Sequence, residues 1–304
     1  MTVWYCNSII HYKTSRNKMK QSSAKIYDKE MAHVMSAKEL FGVEKPIIAL
    51  LHLRALPGDP AYNKAGGLNY IIDTAAAELR ALQDGGVDAV LFANEYSYPF
   101  QMKADYVTVS TMAFVTGKLH SEIRIPYGMN VVKNPLATLD LAVATGATFI
   151  RSAFTGVYTG ELGVYEANPA EVVRRKCYLD AQNIKMFCKV NPEADAYLGQ
   201  RSYQTITRSI VHNCAPDALC VSGSSAGSET DTAFLREIGS YAGGVPVICN
   251  TGCNAENVTE KLKYCDGVCV GSAFKKDGKT ENTVDPDRVK RFMDVVRTFR
   301  ENLH

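Results

Sequence analysis

The feature that most restricts what this chain can become is an alternation. From residue 46 onward, short apolar runs alternate eight times with longer segments of helical periodicity, separated by Gly, Pro, Asn and Asp. The runs cover 46–52, 88–93, 127–132, 148–151, 184–190, 217–222, 246–249 and 267–271. Most are too continuously apolar to keep one face in water, which is the pattern of parallel strands covered on both sides. Each is followed by enough chain for a crossover helix. Segment 70–82, for instance, has apolar residues at helical spacing and stops at Gly85 and Gly86. A weak internal repeat runs through Gly86-Val-Asp-Ala-Val-Leu, Ala215-Pro-Asp-Ala-Leu-Cys and Cys265-Asp-Gly-Val-Cys, where a small or acidic turn residue opens a buried strand. Eight βα units over about 250 residues predict a (β/α)8 barrel. A doubly wound open sheet is the competing arrangement, but it rarely needs eight strands and no dinucleotide fingerprint stands at the first turn.

Composition narrows the function classes. With 46% hydrophobic and 22% charged residues among 304, the chain has material for a large core. Lys plus Arg at 34 against Asp plus Glu at 32 leaves a net charge of +2, so no overall field recommends nucleic acid or an anionic membrane. Any anion site must be local. No apolar stretch approaches the ~18 residues of a membrane-spanning helix. The nine cysteines include no C-x-x-C pair and sit mostly in apolar runs, which reads as small buried hydrophobes in a reducing, cytoplasmic setting. The first 27 residues hold Lys13, Arg16, Lys18, Lys20 and Lys25 and no acid before Asp28. That segment is read as an organelle-targeting tract, a disordered tail, or an upstream start ahead of Met31 and Met35. The expected organisation is an extension over 1–38, poorly ordered or peripheral, followed by a single barrel domain over 39–304.

In such a barrel chemistry gathers at the carboxyl ends of the strands, and there polar residues interrupt the apolar runs. His52 ends the first; Asn94 and Glu95, the second; Asn130, Lys133 and Asn134, the third; Arg151 and Ser152, the fourth. Lys189 and Asn191, Ser222 and Ser224, Asn250 and Thr251, then Ser272 and Lys275 close the rest. Any one of these meets water simply by ending a strand, so the joint placement carries the argument. His52 is a candidate general acid or base, since imidazole titrates near neutrality, and Glu95 is placed to take a proton from carbon or to orient it. Lys133 and Lys189 are candidate Schiff-base nucleophiles if burial lowers their pKa, or else charge stabilisers for a phosphate or an enolate. Arg151 suits an anion clamp because its guanidinium stays charged and offers paired donors.

The last two strand ends, Asn250-Thr-Gly-Cys-Asn254 and Val270-Gly-Ser-Ala-Phe-Lys275, put glycine where a backbone approaches a ligand closely and leave amides free at a following helix start, which suits a phosphate. The same glycines also suit plain tight turns. Ser222-Gly-Ser-Ser-Ala-Gly227 is a third donor-rich loop. The expected binding set is Asn94, Asn130, Arg151, Ser222, Gly223, Asn250, Gly252, Gly271 and Ser272. The stretch 153–168, with Tyr158, Tyr165 and the glycines 156, 160 and 163, is long enough for a lid, or for a cover over apolar surface in a homo-oligomer. There is no Gly-x-Ser-x-Gly elbow, no His-Glu-x-x-His helix, no Gly-Lys-Ser phosphate loop and no basic stripe interleaved with aromatics. No cofactor is predicted, while a divalent metal stays open.

The segments Leu51-His-Leu-Arg-Ala-Leu-Pro-Gly-Asp-Pro60, Gly128-Met-Asn-Val-Val-Lys-Asn134, Phe149-Ile-Arg151, Phe154-Thr-Gly156, Val221-Ser-Gly223, Glu256-Asn-Val258, Val270-Gly-Ser272 and Lys276-Asp-Gly278 resemble the BtpA family, from about residue 41 to 299. Asn94-Glu-Tyr-Ser-Tyr-Pro99 is closer to its SgcQ-like branch. The resemblance implies a TIM barrel of the ribulose-phosphate-binding type, cytoplasmic or loosely membrane-associated, whose members share no established reaction. Some are linked to sugar uptake and sugar-phosphate metabolism, and the photosynthetic members to accumulation of photosystem I reaction-centre proteins. This chain departs from the family pattern: Ala93 and Ser97 stand where acids are frequent, and Lys189 with Asn191 replaces an Asp-x-His arrangement. The resemblance therefore does not carry over a metal or acid-base role built on those acids or that His. Two functions follow as expectations. One is an enzyme that isomerises, epimerises or cleaves a small phosphorylated sugar or related carbonyl metabolite. The other is a non-catalytic assembly or regulatory factor that binds protein partners.

Overall fold

The eight apolar runs form eight parallel strands because a closed sheet wrapped in helices covers both of their faces at once. The computed structural model describes residues 34–225 and 227–303. The expectations for residues 1–33, including the targeting tract, lie outside the described residues. The barrel strands are β1 (Ile47–His52), β2 (Ala89–Ala93), β3 (Tyr127–Asn130), β4 (Phe149–Ser152), β7 (Lys185–Lys189), β9 (Ala218–Val221), β10 (Val247–Cys249) and β11 (Gly267–Val270). They pair in that order, and β11 returns to β1 through Ile47 opposite Val268 and Ala49 opposite Val270. The fold is a (β/α)8 barrel. The remaining strands, β5 (Gly156–Gly160), β6 (Gly163–Ala167) and β8 (Asp195–Tyr197), make a separate antiparallel sheet in the order β6-β5-β8.

Alternation along each strand sorts its side chains between two cores. Ile48, Leu91, Phe149, Phe187, Cys220, Ile248 and Cys269 fill the barrel interior. Their neighbours Ile47, Val90, Ile150, Met186, Leu219, Val247 and Val268 face the helical layer. The interior rings pack tightly: Phe149 and Phe187 stack at 4.9 Å, and a Cβ on Gly128 would come within 2.4 Å of the Phe149 ring, so only glycine fits there. Helix α1 (Ala37–Phe41) sets Phe41 edge-on against both rings, at 5.7 and 5.8 Å, which plugs that end of the barrel. A capping box between Ser36 and Glu39 starts this helix, and it straddles the expected boundary at residue 39.

The main crossover helices are α2 (Gly67–Gly85), α3 (Tyr106–Leu119), α4 (Pro135–Thr145), α5 (Pro169–Tyr178), α6 (Tyr203–Cys214) and α7 (Thr232–Tyr241), followed by the short α8 (Val258–Leu262) and the final α9 (Pro286–Glu301). Helix α2 begins three residues before the predicted segment and ends on Gly86 at φ 90°, the left-handed cap that glycine favours. Cys177 is exposed on α5, a correction to its reading as a buried hydrophobe: it follows the basic, solvent-facing stretch of that helix. Among the described residues no helix is long and apolar enough to cross a membrane.

Candidate active site

The register that sends Ile48, Phe149 and Phe187 inward sends Arg151 and Lys189 inward two residues later, and His52 four residues later, beyond Leu50. Their side chains line a cavity of about 430 Å³ at the carboxyl face, together with Glu95, Asn130, Lys133, Asn250, Gly252, Gly271 and Ser272. Three expected residues do not line it. Asn94 turns its carbonyl oxygen to the amide of Val132 at 2.8 Å and ties β2 to the loop after β3. The Gly223 amide is spent on Thr251 Oγ1 at 2.7 Å. Ser222 acts one layer back, donating to Glu193 at 3.0 Å and accepting from Asn250 at 3.0 Å. Lys275, read as a strand-end residue of β11, is fully buried away from the cavity against Glu78, at 2.6 Å.

Glu193, in the loop after β7, is the hub of the site and was not among the expected residues. Its Oε1 accepts from Asn250 at 2.7 Å and from Ser222, and its Oε2 from Lys189 at 2.7 Å. Asn250 in turn accepts from Arg151 Nη1 at 2.8 Å, and Asn130, its amide turned to donate to the Arg151 carbonyl, accepts from Arg151 Nη2 at 3.3 Å. Burial by itself would raise the Glu193 pKa, but Lys189 and Arg151 outweigh it and hold the carboxylate at about 2. Asp195 was likewise not foreseen; it takes Lys133 Nζ on both oxygens, at 2.8 and 2.6 Å. Both candidate lysines are therefore ion-paired, and a Schiff-base route would first have to break a pair.

His52 and Glu95 are shifted in opposite senses. Burial, then the charges of Lys275, Arg151 and Arg54, pull His52 down to about 3, so the ring stays neutral across the physiological range. This corrects the expectation that it titrates near neutrality: it is surrounded by cations rather than by a carboxylate. Its Nδ1, like Arg151 Nε, is buried with no hydrogen-bond partner among the described residues. For Glu95, burial pushes the carboxyl above the usual range, with Lys189 and Arg151 opposing and Glu193 reinforcing.

The wall made by Gly227, Thr251, Gly252, Gly271 and Ser272 is the expected phosphate region. Gly252 sits at φ +74°, where an added Cβ would be 2.3 Å from the Glu229 backbone, so this loop is closed by glycine alone. The helical part of the phosphate argument needs correction. Ser272–Phe274 is a single 3-10 turn, and the five-residue α8 starts well beyond Gly252, so any anion there would meet loop amides rather than a long helix dipole.

The stretch expected to be a lid is the β5–β6 hairpin, whose tip residues Glu161 and Leu162 line the cavity. It is pinned rather than loose. Tyr158 stacks on Tyr165 at 6.0 Å and meets Tyr197 of β8 edge-on, while the Tyr165 hydroxyl donates to the Ala153 carbonyl at 2.8 Å. Among the described residues, no group of three or more His, Cys, Asp or Glu side chains is placed to hold a metal ion.

Fold and site together define a (β/α)8 barrel with ionisable residues gathered around a cavity of metabolite size. The chain belongs to the BtpA family, whose model matches residues 43–298. It is 47% identical over 263 residues to the putative sgc region protein SgcQ of Escherichia coli, covering 86% of this chain and 98% of that protein. It is 28% identical to the photosystem I biogenesis protein BtpA of a Synechocystis strain, over 86% of this chain and 91% of that one. Among solved structures it is similar to native KDPGal, with a TM-score of 0.54, 15% identity and coverage of 85% and 98%. It is also similar to the 7,8-dihydropteroate synthase of Vibrio fischeri, with a TM-score of 0.54, 13% identity and coverage of 90% and 98%. At such identities the structural likeness is one of fold.

Proposed function

We propose that this barrel binds a small phosphorylated sugar or related carbonyl metabolite and moves a proton at the carbon next to the carbonyl, in an isomerisation, an epimerisation or an aldol-type cleavage. The observation that carries this reading is Glu95. It lines the cavity, its carboxyl has no hydrogen-bond partner among the described residues, and burial lifts its pKa toward the working range of a general base. In this scheme Glu95 takes the proton. Lys189 and Arg151 stabilise the negative charge that develops on the substrate oxygen, and the neutral His52 ring supplies a hydrogen bond rather than a proton. The glycine wall at Gly252 and Gly271, with Ser272, receives the phosphate. The ion pairs at Lys133 and Lys189 favour an enolate over a Schiff base.

The test is solvent exchange. A panel of phosphorylated aldoses and ketoses is incubated with the protein in deuterium oxide and followed by proton NMR. At least one compound is expected to lose a carbon-bound proton, and Glu95→Gln to slow this by ~100-fold or more. Inorganic phosphate is expected to raise the melting temperature of the wild type but not of Gly271→Asp, which sets a carboxylate in the anion's place. The name of the Synechocystis relative, a photosystem I biogenesis protein, favours a second reading, an assembly factor. Absence of both exchange and ligand stabilisation, with recovery of a specific protein partner, would replace the enzyme reading with that one.

A further inference from the structure

Strand β10 ends on Cys249, and four residues later Cys253 returns to it, so that the two sulfurs lie 3.4 Å apart with the Cys253 thiol donating to Cys249. The return is built into the loop. Gly252, at φ +74°, reverses the chain against Ser228 and Glu229, and Thr251 accepts from the Gly223 amide and faces Thr230 Oγ1 at 3.2 Å. Cys253 lines the cavity, whereas Cys249 is fully buried behind it. The hydrogen bond from Cys253 holds the Cys249 thiol below its ordinary range against the effect of burial, with Thr230 and Lys261 assisting, while the same bond and burial hold the Cys253 thiol well above its own. Cys269 also lines the cavity, but beside the Arg151 guanidinium, and Cys188, Cys214, Cys220 and Cys265 do not reach it.

We propose that Cys249 and Cys253 are a reversible dithiol–disulfide pair set in the cavity wall and open to small oxidants of the peroxide class. The chemistry closes without further reagents. The Cys249 thiolate takes the Cys253 proton along their hydrogen bond, the Cys253 sulfur attacks one peroxide oxygen and the O–O bond breaks, which leaves a sulfenic acid at Cys253 and releases the other oxygen as hydroxide that solvent protonates to water. The Cys249 sulfur then attacks the sulfenyl sulfur, the S–S bond forms, and a second water carries away the hydroxyl and the Cys249 proton. Two thiols are oxidised by two electrons and one peroxide is reduced. The sulfurs must approach from 3.4 Å to about 2.05 Å. The new bond spans Asn250, Thr251 and Gly252. Oxidation therefore acts on the wall that carries Asn250, the residue joining Arg151 to Glu193. None of this depends on what the cavity binds.

The experiment uses the full chain with Cys6→Ser and Cys177→Ser, so that neither of these thiols enters an intermolecular bridge. Folded protein is treated with hydrogen peroxide, remaining thiols are alkylated, and peptides are mapped without reduction. The expected product is an internal Cys249–Cys253 disulfide, two hydrogens lighter, formed at least about tenfold faster than any other cysteine is lost and reversed by dithiothreitol. It should be missing from Cys253→Ala. Should that variant not fold, the same mapping on guanidinium-unfolded protein serves as control, where the preference for this pair should vanish. Accumulation of sulfinic acid at Cys253 with Cys249 still open to alkylation, or earlier oxidation of the other buried cysteines, would overturn the proposal.

Discussion

Glu193→Gln removes one charge from the middle of the site and keeps the shape of the side chain. In the wild type this carboxylate accepts from Lys189, Asn250 and Ser222, and its side chain is only 14% exposed, so solvent screens it weakly. Although burial opposes ionisation, Lys189 and Arg151 bring the pKa from 4.5 to about 2. A difference of that size corresponds to roughly 3 kcal/mol of folding free energy at neutral pH. The folded-state pKa is the lower one, so this stability is present in full above about 4.5 and is lost as pH falls through about 2. The amide has no charge to offer Lys189 and Arg151 and forfeits the contribution. Urea unfolding followed by circular dichroism is therefore expected to show the variant less stable by about 3 kcal/mol at neutral pH. The gap should narrow steadily as pH is lowered from 4.5 toward 2. No gap at neutral pH, or one that keeps its full size in acid, would refute the reading of Glu193 as the charged anchor of the site.

Two further changes probe the frame around it. Gly252→Ala places a Cβ within 2.3 Å of the Glu229 backbone at a positive φ, and is expected to lower the unfolding free energy by about 2 to 3 kcal/mol, read from the urea midpoint. Lys275→Met leaves Glu78, 2% exposed, with only Arg54, at 3.6 Å, as a cation partner among the described residues; a loss of about 3 kcal/mol is expected, and recovery in the double variant Glu78→Leu, Lys275→Met would show that the cost is an uncompensated charge rather than lost packing.

The barrel was legible because its signal is redundant: eight runs, each apolar on both faces, leave few other ways to bury them. The polar floor was legible for a related reason. His52, Arg151 and Lys189 break an apolar alternation at an inward position, and a strand that sends Phe149 inward must send Arg151 inward two residues later. The hairpin over 156–167 was harder, since a run of small and tyrosyl residues reads equally as a long loop; the two residues between Gly160 and Gly163 were its turn signal. Asn94 and Gly223 were misplaced because a polar strand end can be consumed by a neighbouring loop as readily as by a ligand.

Glu193 and Asp195 escaped for want of any period or motif in Asn191-Pro-Glu-Ala-Asp195, yet the physics that demands them was already on the chain. Once Lys133 and Lys189 are placed at strand ends inside one barrel mouth beside Arg151, three cations crowd a space poor in water, and such a cluster is costly without counter-charges. Acids that reach the two lysines sit after β7, where the connection is long enough to fold back. The two present there take one lysine each, at 2.6 and 2.7 Å. Of the two cavity carboxyls that structural pairing leaves unclaimed among the described residues, Glu161 is exposed at the hairpin tip and Glu95 lies deep beside Lys189 and Arg151, so that division of labour among the acids leaves Glu95 available for the proposed chemistry.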